Sequence, residues 1–287
     1  MERPHAEFTH EGVGVPHIFV PSSPGEPTEP TAAAAPNVSR ATADADALVR
    51  GPEGPAINET HQRILEAAVR LFAVRGFHGT GIRELATSAQ LSTASLYHYM
   101  GTKERLLFQI MHDALQRLVL AASIIEQQSD DVRVRLDRLV RMHVVTHALS
   151  RDASNVVDNQ VGALDPVDRL VIVQQRDAYE KYWADAIADG VAAGYFSVPD
   201  QSSARMAILE MCSGVARWFS EGGKYSVDQV ADIHVDLAAS LLAGGGTSFD
   251  REQSEPHLDI HELVEQIWAI HVPGKRNADR VKRDNVV

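Results

Sequence analysis

The sequence predicts an all-α protein of 287 residues, and three observations support this. From residue 60 to about residue 243, apolar side chains recur at the three- and four-residue spacing that places them on one face of a helix. No run alternates apolar and polar residues between hairpin-type turns, which is the pattern of half-buried strands. Hydrophobic residues make up 44% of the chain, enough to fill the core of a globular protein.

Residues 1–56 are expected to form a disordered tail. They are rich in Pro, Ala, Gly, Glu and Ser, as in the stretch VPSSPGEPTEPTAAAAP, and they show neither helical nor strand periodicity. A segment with so little apolar surface cannot offset the entropy that ordering costs.

Four helices are predicted in order after this tail. The first starts near Thr60 and ends at Gly76, the position where a helix commonly closes with a left-handed residue. Thr80 is predicted to cap a second, short helix, IRELATSA, and Ser92 to cap a third, TASLYHYM. Thr102 is predicted to cap a long fourth helix that begins KERLLFQIM.

The two short helices have the spacing of a helix-turn-helix. Ile82–Ala89 and Thr93–Met100 are separated only by Gln90-Leu91-Ser92, and in this motif the second helix enters the major groove of DNA. The chain has a net charge of -12, yet the segment from 60 to 105 holds six Lys and Arg against three Glu. A locally basic face is what phosphate binding requires, so residues 57–105 are predicted to bind double-stranded DNA.

The remaining residues are predicted to form a second helical domain and an extension. Within 106–246, periodic segments at about 130–150, 166–193, 201–221 and 227–243 are separated by Gly and Pro breaks. Residues 247–287 contain a polar linker, one more amphipathic helix around Trp268 and a basic end. That extra helix either covers the body of the protein or binds a partner.

The segment RILEAAVRLFAVRGFHGTGIRELATSAQLSTASLYHYMGTKERLL resembles the N-terminal domain of TetR-family repressors. The match runs without a gap, and it departs from the family at Gln90, where the turn often has glycine, and at Met100-Gly101. The resemblance implies a repressor that binds palindromic operator DNA as a homodimer. Thr80 and Ser92 stand at predicted helix starts, whose free N–H groups can hold phosphates. The resemblance implies DNA contacts for Thr80, Arg83, Thr93, Ser95, Tyr97, His98 and Lys103, so these residues and Ser92 are the candidate DNA-binding residues.

The C-terminal half resembles a TetR subgroup more loosely. The stretches RDAYEKYWADAIADGVAAGYF and VARWFSEGGKYSVDQVADIHVDLAASLLAGG are similar to repressors of fatty-acid and steroid catabolism, some of which bind acyl-CoA thioesters. The resemblance implies a small-molecule inducer, an acyl-CoA or a similar amphipathic acid. Cations flanked by aromatic residues suit such a ligand, and the candidate ligand-binding residues are Arg176, Tyr179, Trp183 and Trp218.

The last two long helices of this half, Ser202–Ser220 and Val227–Leu242, are expected to form the dimer interface because two recognition helices must reach neighbouring half-sites. The apolar faces expected to meet there are Ile208, Met211, Cys212 and Val215 on the first helix, and Ile233, Leu237, Ser240 and Leu241 on the second. Packing of these faces within one subunit is the alternative.

Other functional classes are disfavoured by the sequence. The chain has no GxSxG, no phosphate loop, no HExxH and no glycine fingerprint, so no enzyme activity and no cofactor are expected. His143/His147 and His257/His261 have the spacing of one helix face but no third ligand, so no metal site is expected. No run approaches the ~18 apolar residues of a membrane span and no signal peptide is found, which favours a cytoplasmic protein.

A DNA-binding regulator with no small-molecule input, or with a different apolar inducer, remains open, as does the sign of regulation.

Overall fold

The computed structural model describes residues 55–243 and 258–269, and within these ranges every regular element is helical. The all-α prediction is confirmed. The expected tail before residue 55, His257 and the basic end after residue 269 lie outside the described residues. The helices are α1 Pro55–Gly79, α2 Ile82–Ser88, α3 Thr93–Met100, α4 Lys103–Gln127, α5 Val132–Leu149, α6 Arg151–Asn159, α7 Pro166–Ala192, α8 Gln201–Ser213, α9 Val215–Trp218, α10 Val227–Leu242 and α11 Ile260–Trp268.

Two of the predicted helix caps are confirmed and one is wrong, and the first helix runs from Pro55 to Gly79 instead of from Thr60 to Gly76. Gly76 has φ +73° and bends the end of α1, as expected for a left-handed residue there. The hydroxyl oxygens of Ser92 and Thr102 accept the backbone N–H groups that cap α3 and α4. Thr80, however, does not cap α2: the cap position is Gly81, which has no side chain to bond, and the buried Thr80 hydroxyl donates to the Gly76 carbonyl at 2.9 Å.

The turn between α2 and α3 holds Gln90 in the left-handed region, with φ +57°. The backbone N–H of Leu91 reaches back to the Ala86 carbonyl at 2.9 Å, which closes the end of α2 in the manner of a Schellman motif. A side chain in this conformation costs about 1–2 kcal/mol relative to glycine. Gln90, which stands where the family often has glycine, is therefore a strained position of the turn.

The body of the protein is organised around α5. This helix contacts α4, α7, α8, α9, α10 and α11, and most of its side chains are buried. Sequence analysis did not identify α6, a nine-residue polar helix followed by a short 3-10 turn at Val161–Ala163. The single helix predicted at about 201–221 is interrupted at Gly214, so that α8 and the short α9 form separate elements.

Helix α11 covers the body and decides between the two alternatives for the C-terminal extension. Its Asp259 cap accepts two backbone N–H groups, and it packs on α4 and α5. The imidazole of His261 pairs with the Asp228 carboxylate of α10 at 2.5 Å. The side chains that it buries are Ile260, Leu263, Val264, Ile267 and Trp268.

Candidate DNA interface and ligand site

Helix α3 presents a polar face to solvent because its apolar residues point into the domain. Leu96 is fully buried and Met100 nearly so, while Tyr97 and His98 are exposed and Thr93 and Ser95 are half-buried. The predicted contact residues on α3 are thus accessible, while the buried side of the helix is formed by Leu96 and Met100. That arrangement fits a helix that enters a groove with its polar edge.

Two further groups border this face. Ser92 is exposed at the start of α3, where its hydroxyl accepts the Ser95 N–H at 3.0 Å. Arg83 is exposed in the first turn of α2. Arg75, in contrast, pairs with Glu84 at 2.6 Å, so part of the local positive charge is neutralised within the domain. On α2, the predicted contact residue is Arg83, and its charged side chain is exposed to solvent.

Thr80 and Lys103 are directed inward and hold the domain together. The Lys103 ammonium donates to the Phe77 carbonyl at 2.9 Å and to the Thr80 carbonyl at 3.0 Å, and it lies 4.2 Å from the centre of the Phe77 ring. These bonds join the end of α1 to the start of α4. In this conformation the side chains of Thr80 and Lys103 position the motif, and their contact with DNA stays a prediction.

A hydrogen bond that sequence analysis missed joins the two halves of the chain. The Gln160 amide oxygen, at the end of α6, accepts the Phe77 N–H at 3.0 Å across 83 positions of sequence. Phe77 follows the bend at Gly76. A glutamine after a helix gives no sequence signal for such a role, because the partner becomes adjacent only in the folded chain.

In the C-terminal half, three of the four predicted ligand residues lie on one face of α7, as their spacing requires: Arg176, Tyr179 and Trp183. The Tyr179 hydroxyl bonds His143 Nδ1 at 2.8 Å, and His143 Nε2 bonds the Ser213 hydroxyl at 3.0 Å. Trp218 lies apart: it is 54% exposed and stacks on His234 with ring centres 6.2 Å apart.

This buried polar cluster carries no charge. The rings of His143 and His147 stack with centres 3.9 Å apart, and burial lowers the pKa of both, with the neighbouring ring adding to the effect on His143. Burial also raises the pKa of the Tyr179 hydroxyl, and it raises the pKa of the Cys212 thiol to about 12. At neutral pH all four groups are therefore uncharged.

Arg176 is the cation on this face of α7, and it is already engaged. Its guanidinium donates to the Val157 carbonyl of α6. Burial lowers its pKa, and the nearby carboxylates of Asp158 and Glu180 oppose that shift. The side chain therefore braces α6 against α7.

A small cavity lies within the described part of the body. A cavity of about 10 Å³ lies between α4, α5 and α7, with room for about one water molecule. Its lining residues are Ala122, Ile125, Glu126, Arg135, Leu139, Tyr182 and Ala186. A ligand in this domain would therefore have to displace packed side chains.

One of the two faces predicted for dimerisation is wrong. Ile208, Cys212 and Val215 are fully buried within the single protomer, because α8 and α9 pack on α5, so they cannot meet a second copy. The α10 face is available: Ile233 is 41% exposed, and Leu237 and Leu241 are 49% and 39% exposed.

The His143/His147 pair does not form a metal site, and the second pair cannot be placed because His257 lies outside the described residues. His143 and His147 bond protein groups, and among residues 55–243 and 258–269 no group of three or more His, Cys, Asp or Glu side chains is placed to hold a metal ion. Within the same ranges, no helix is long and apolar enough to cross a membrane.

Two family models match the chain over the segments just described. Residues 64–110 match the model of bacterial regulatory proteins of the tetR family, and residues 129–242 match the tetracyclin repressor-like C-terminal domain. The first match covers the helix-turn-helix, and the second ends with α10. Helix α11 lies beyond both.

Individual relatives agree with these matches. The HTH-type transcriptional repressor KstR2 of Rhodococcus jostii is 27% identical over 182 residues, which are 63% of this chain and 89% of that protein. The structure of PfmR, a TetR family transcriptional regulator of Thermus thermophilus, is 30% identical, with a TM-score of 0.57 over 65% of this chain and 100% of PfmR. The structure of AibR in complex with isovaleryl coenzyme A and operator DNA is 25% identical, with a TM-score of 0.56 over 65% of this chain and 100% of AibR.

Proposed function

The chain belongs to the TetR family of helix-turn-helix transcriptional regulators, and from that premise we propose that it represses transcription as a dimer that a small amphipathic molecule releases from operator DNA. The observation that carries the proposal is the accessible polar face of α3, with Tyr97 and His98 exposed beside a buried Leu96. This is the geometry that a groove-entering helix needs.

The DNA contacts that we propose fall into two groups. Thr93 and Ser95 on α3 and Arg83 on α2 reach base edges or the adjacent backbone, while Tyr97 and His98 contact phosphates. Ser92 adds the free N–H groups of the α3 start. Thr80 and Lys103 act mainly by fixing the orientation of the motif. The Thr80 hydroxyl donates to the Gly76 carbonyl, and the Lys103 ammonium donates to the carbonyls of Phe77 and Thr80.

Dimerisation through α10 is supported by its exposed apolar row. Ile233, Leu237 and Leu241 recur every four residues, so they form one ridge along the helix. Apolar side chains that are exposed in a row on an otherwise well-packed body indicate a surface that another protein covers. A second copy is the partner that places two recognition helices on one face of the duplex.

An acyl-CoA thioester is our first candidate for the inducer. The support is the relationship to AibR, whose structure contains isovaleryl coenzyme A, together with the polar cluster at Tyr179 and Trp183 inside the C-terminal half. A ligand that favours the DNA-incompetent conformation weakens operator binding by its differential affinity, typically about 1–3 kcal/mol.

A regulator without any small-molecule input is the second candidate, and the closed packing of the body favours it. The cavity between α4, α5 and α7 admits no molecule larger than water. If this reading is correct, operator affinity will not respond to any metabolite.

A DNA-shift assay on the chain's own upstream region tests the proposal, because such regulators often act next to their own genes. We expect a salt-sensitive shift that an acyl-CoA thioester releases. Arg83→Ala should weaken the shift and reduce the salt slope by about 1 if Arg83 binds a phosphate, whereas Lys181→Ala, which removes an exposed cation of α7, should change neither. A shift that no thioester releases would favour the second candidate, and no shift on any upstream fragment would contradict repression of neighbouring genes.

A further inference from the structure

A half-buried polar cluster along α4 joins the DNA-binding half to the body of the protein. His61 of α1 lies against Gln109 of α4, with the Gln109 amide nitrogen 2.9 Å from His61 Nε2. Three residues further along α4, His112 Nδ1 lies 2.8 Å from the amide nitrogen of Gln175 on α7. Side chains of α4 therefore bond to both α1 and α7 within one helical turn.

The partner of His61 fixes the direction of its hydrogen bond. An amide nitrogen can only donate, so His61 Nε2 has to accept, and a ring nitrogen accepts only when it carries no proton. Turning the Gln109 amide around would offer its oxygen instead, but the same amide also stabilises the ionised Asp113 carboxylate on the next turn of α4. Because a carboxylate needs a donor, Asp113 keeps the amide nitrogen of Gln109 in place. His61 is therefore neutral in this arrangement.

The charges around Asp113 are already balanced when His61 is neutral. Burial raises the pKa of the Asp113 carboxyl, and Arg117 is the first of the positive groups that oppose this shift, followed by His112 and His61. Charged groups on the other helices packed against α1 and α4 are engaged elsewhere: Glu84 with Arg75, Arg151 with the Ala216 carbonyl, Asp158 near His147, Arg176 with the Val157 carbonyl, Arg141 with Asp137 and Asp232, and His261 with Asp228. A proton on His61 would thus add a charge beside a carboxylate that Arg117 already compensates.

The His61–Gln109 bond helps to set the angle between α1 and α4. Lys103, at the start of α4, bonds the carbonyls of Phe77 and Thr80, where α1 leads into the helix-turn-helix. At a rise of 1.5 Å per residue, His61 lies about 24 Å before Phe77 on α1, and Gln109 lies about 9 Å beyond Lys103 on α4. Two polar contacts that are separated in this way fix the relative orientation of two helices. The motif α2–α3 is held between these same two helices.

We propose that His61 positions the helix-turn-helix for operator binding only in its neutral form, so that its protonation weakens operator binding as the pH falls from 8 to 6. This inference rests on the proposed function, because it concerns the affinity for operator DNA. Histidine is the side chain that commonly changes charge in this pH range. A protonated His61 meets the Gln109 amide nitrogen with a second donor, so either the contact opens or the imidazolium displaces the amide from Asp113. Either change alters the contact that orients α1 on α4.

The test measures operator affinity by fluorescence anisotropy at pH 6 and pH 8, at one ionic strength, for the wild-type protein and three variants. His61→Gln keeps an acceptor oxygen but cannot take up a proton, whereas His61→Leu has no acceptor. One net hydrogen bond corresponds to about tenfold in affinity, so the loss from pH 8 to pH 6 should be about five- to tenfold greater in the wild-type protein than in His61→Gln. His61→Leu should bind more weakly than His61→Gln at pH 8. His78→Gln, the same change at an exposed position of α1, should show the wild-type loss.

Other titrating histidines are common to the wild-type protein and His61→Gln, so their effects cancel in this comparison. If a variant does not fold, an NMR titration of the His61 imidazole in the wild-type protein decides. By linkage, a tenfold weaker affinity of the protonated form requires a titration midpoint about one pH unit lower in the operator complex than in the free protein. Equal losses of affinity in the wild-type protein and His61→Gln, or a midpoint that does not fall in the complex, overturn the inference. Absence of an operator shift at pH 8 contradicts the proposed repressor function instead.

Discussion

The hydrogen bond between Gln160 and Phe77 gives the prediction that we develop first, for the substitution Gln160→Ala. Gln160 ends α6, and its amide oxygen accepts the Phe77 N–H at 3.0 Å, just after the bend at Gly76. Because Gly76 has a non-helical conformation, the regular hydrogen-bond ladder of α1 is interrupted at this point. The bond therefore adds a defined polar contact to the packing of α6 on the helix that leads into the helix-turn-helix.

The magnitude follows from burial. A neutral hydrogen bond contributes about 0.5–1.5 kcal/mol, and a buried donor left without a partner costs about 1–3 kcal/mol. Phe77 is 3% exposed, but the bond itself is only partly buried, so water can reach the N–H in the variant. We expect the free energy of unfolding to fall by about 1–2 kcal/mol, which corresponds to about 2–4 °C in Tm for each kcal/mol in a domain of this size.

Three variants and two measurements test this reasoning. Thermal unfolding gives the stability change, and amide hydrogen exchange followed by NMR reports on the Phe77 N–H directly. Gln160→Glu keeps an acceptor oxygen and should retain protection of that amide. Gln201→Ala, the same truncation at an exposed position of α8, should leave both readouts unchanged. Equal exchange rates for the Phe77 amide in the wild-type protein and in Gln160→Ala would refute the argument.

Four further outcomes are expected. Gln90→Gly should raise the free energy of unfolding by about 1 kcal/mol, because glycine relieves the left-handed strain; urea titration measures this, and an unchanged midpoint would contradict it. Burial lowers the pKa of His143 and His147 below 6.5, so the unfolded state binds more protons and stability should fall as the pH drops below 6.5, by up to about 1.4 kcal/mol per pH unit for each histidine; urea midpoints that stay constant down to pH 5 would argue against it. Leu237→Glu should place a charge in the α10 ridge and yield monomers in light scattering, with much weaker operator binding; a dimer of unchanged mass would point to another interface. Ile267→Ala in α11 should lower stability by about 2–4 kcal/mol in thermal or urea unfolding if α11 stays docked, and a negligible loss would mean that α11 contributes little to the fold.

The DNA-binding half was predictable from local sequence because its structure depends on local chemistry. Ser92 and Thr102 cap the helices that follow them, Gly76 adopts the left-handed conformation, and the sequence departure at Gln90 appears as a positive φ. Each of these features is decided within a few residues of the chain. Thr80 is the exception, since its hydroxyl bonds back to Gly76 instead of forward into α2.

The C-terminal half was less predictable because its functional properties depend on which helix lies against which. Helical spacing correctly placed Tyr179 and Trp183 on one face of α7, but spacing alone does not distinguish a face that meets a second subunit from one that meets α5. For that reason Ile208, Cys212 and Val215 were assigned to the dimer surface and are in fact core residues. Sequence analysis also missed α6, which is short and polar.

The end of α6 connects the buried cluster to the DNA-binding half through three nearby contacts. The Val157 carbonyl accepts from Arg176 on α7, the Asp158 carboxylate lies 3.8 Å from His147 on α5, and Gln160 bonds Phe77 on α1. A ligand that separates α7 from α5 at Tyr179 cannot leave the first two contacts as they are, because both partners belong to the helices that it moves apart. Since Gln160 directly follows the last residue of α6, displacement at Val157 and Asp158 would be transmitted to Gln160. A molecule that bound at this cluster would therefore act on the helix-turn-helix through one short segment, and such a link is what a small molecule needs to weaken operator binding.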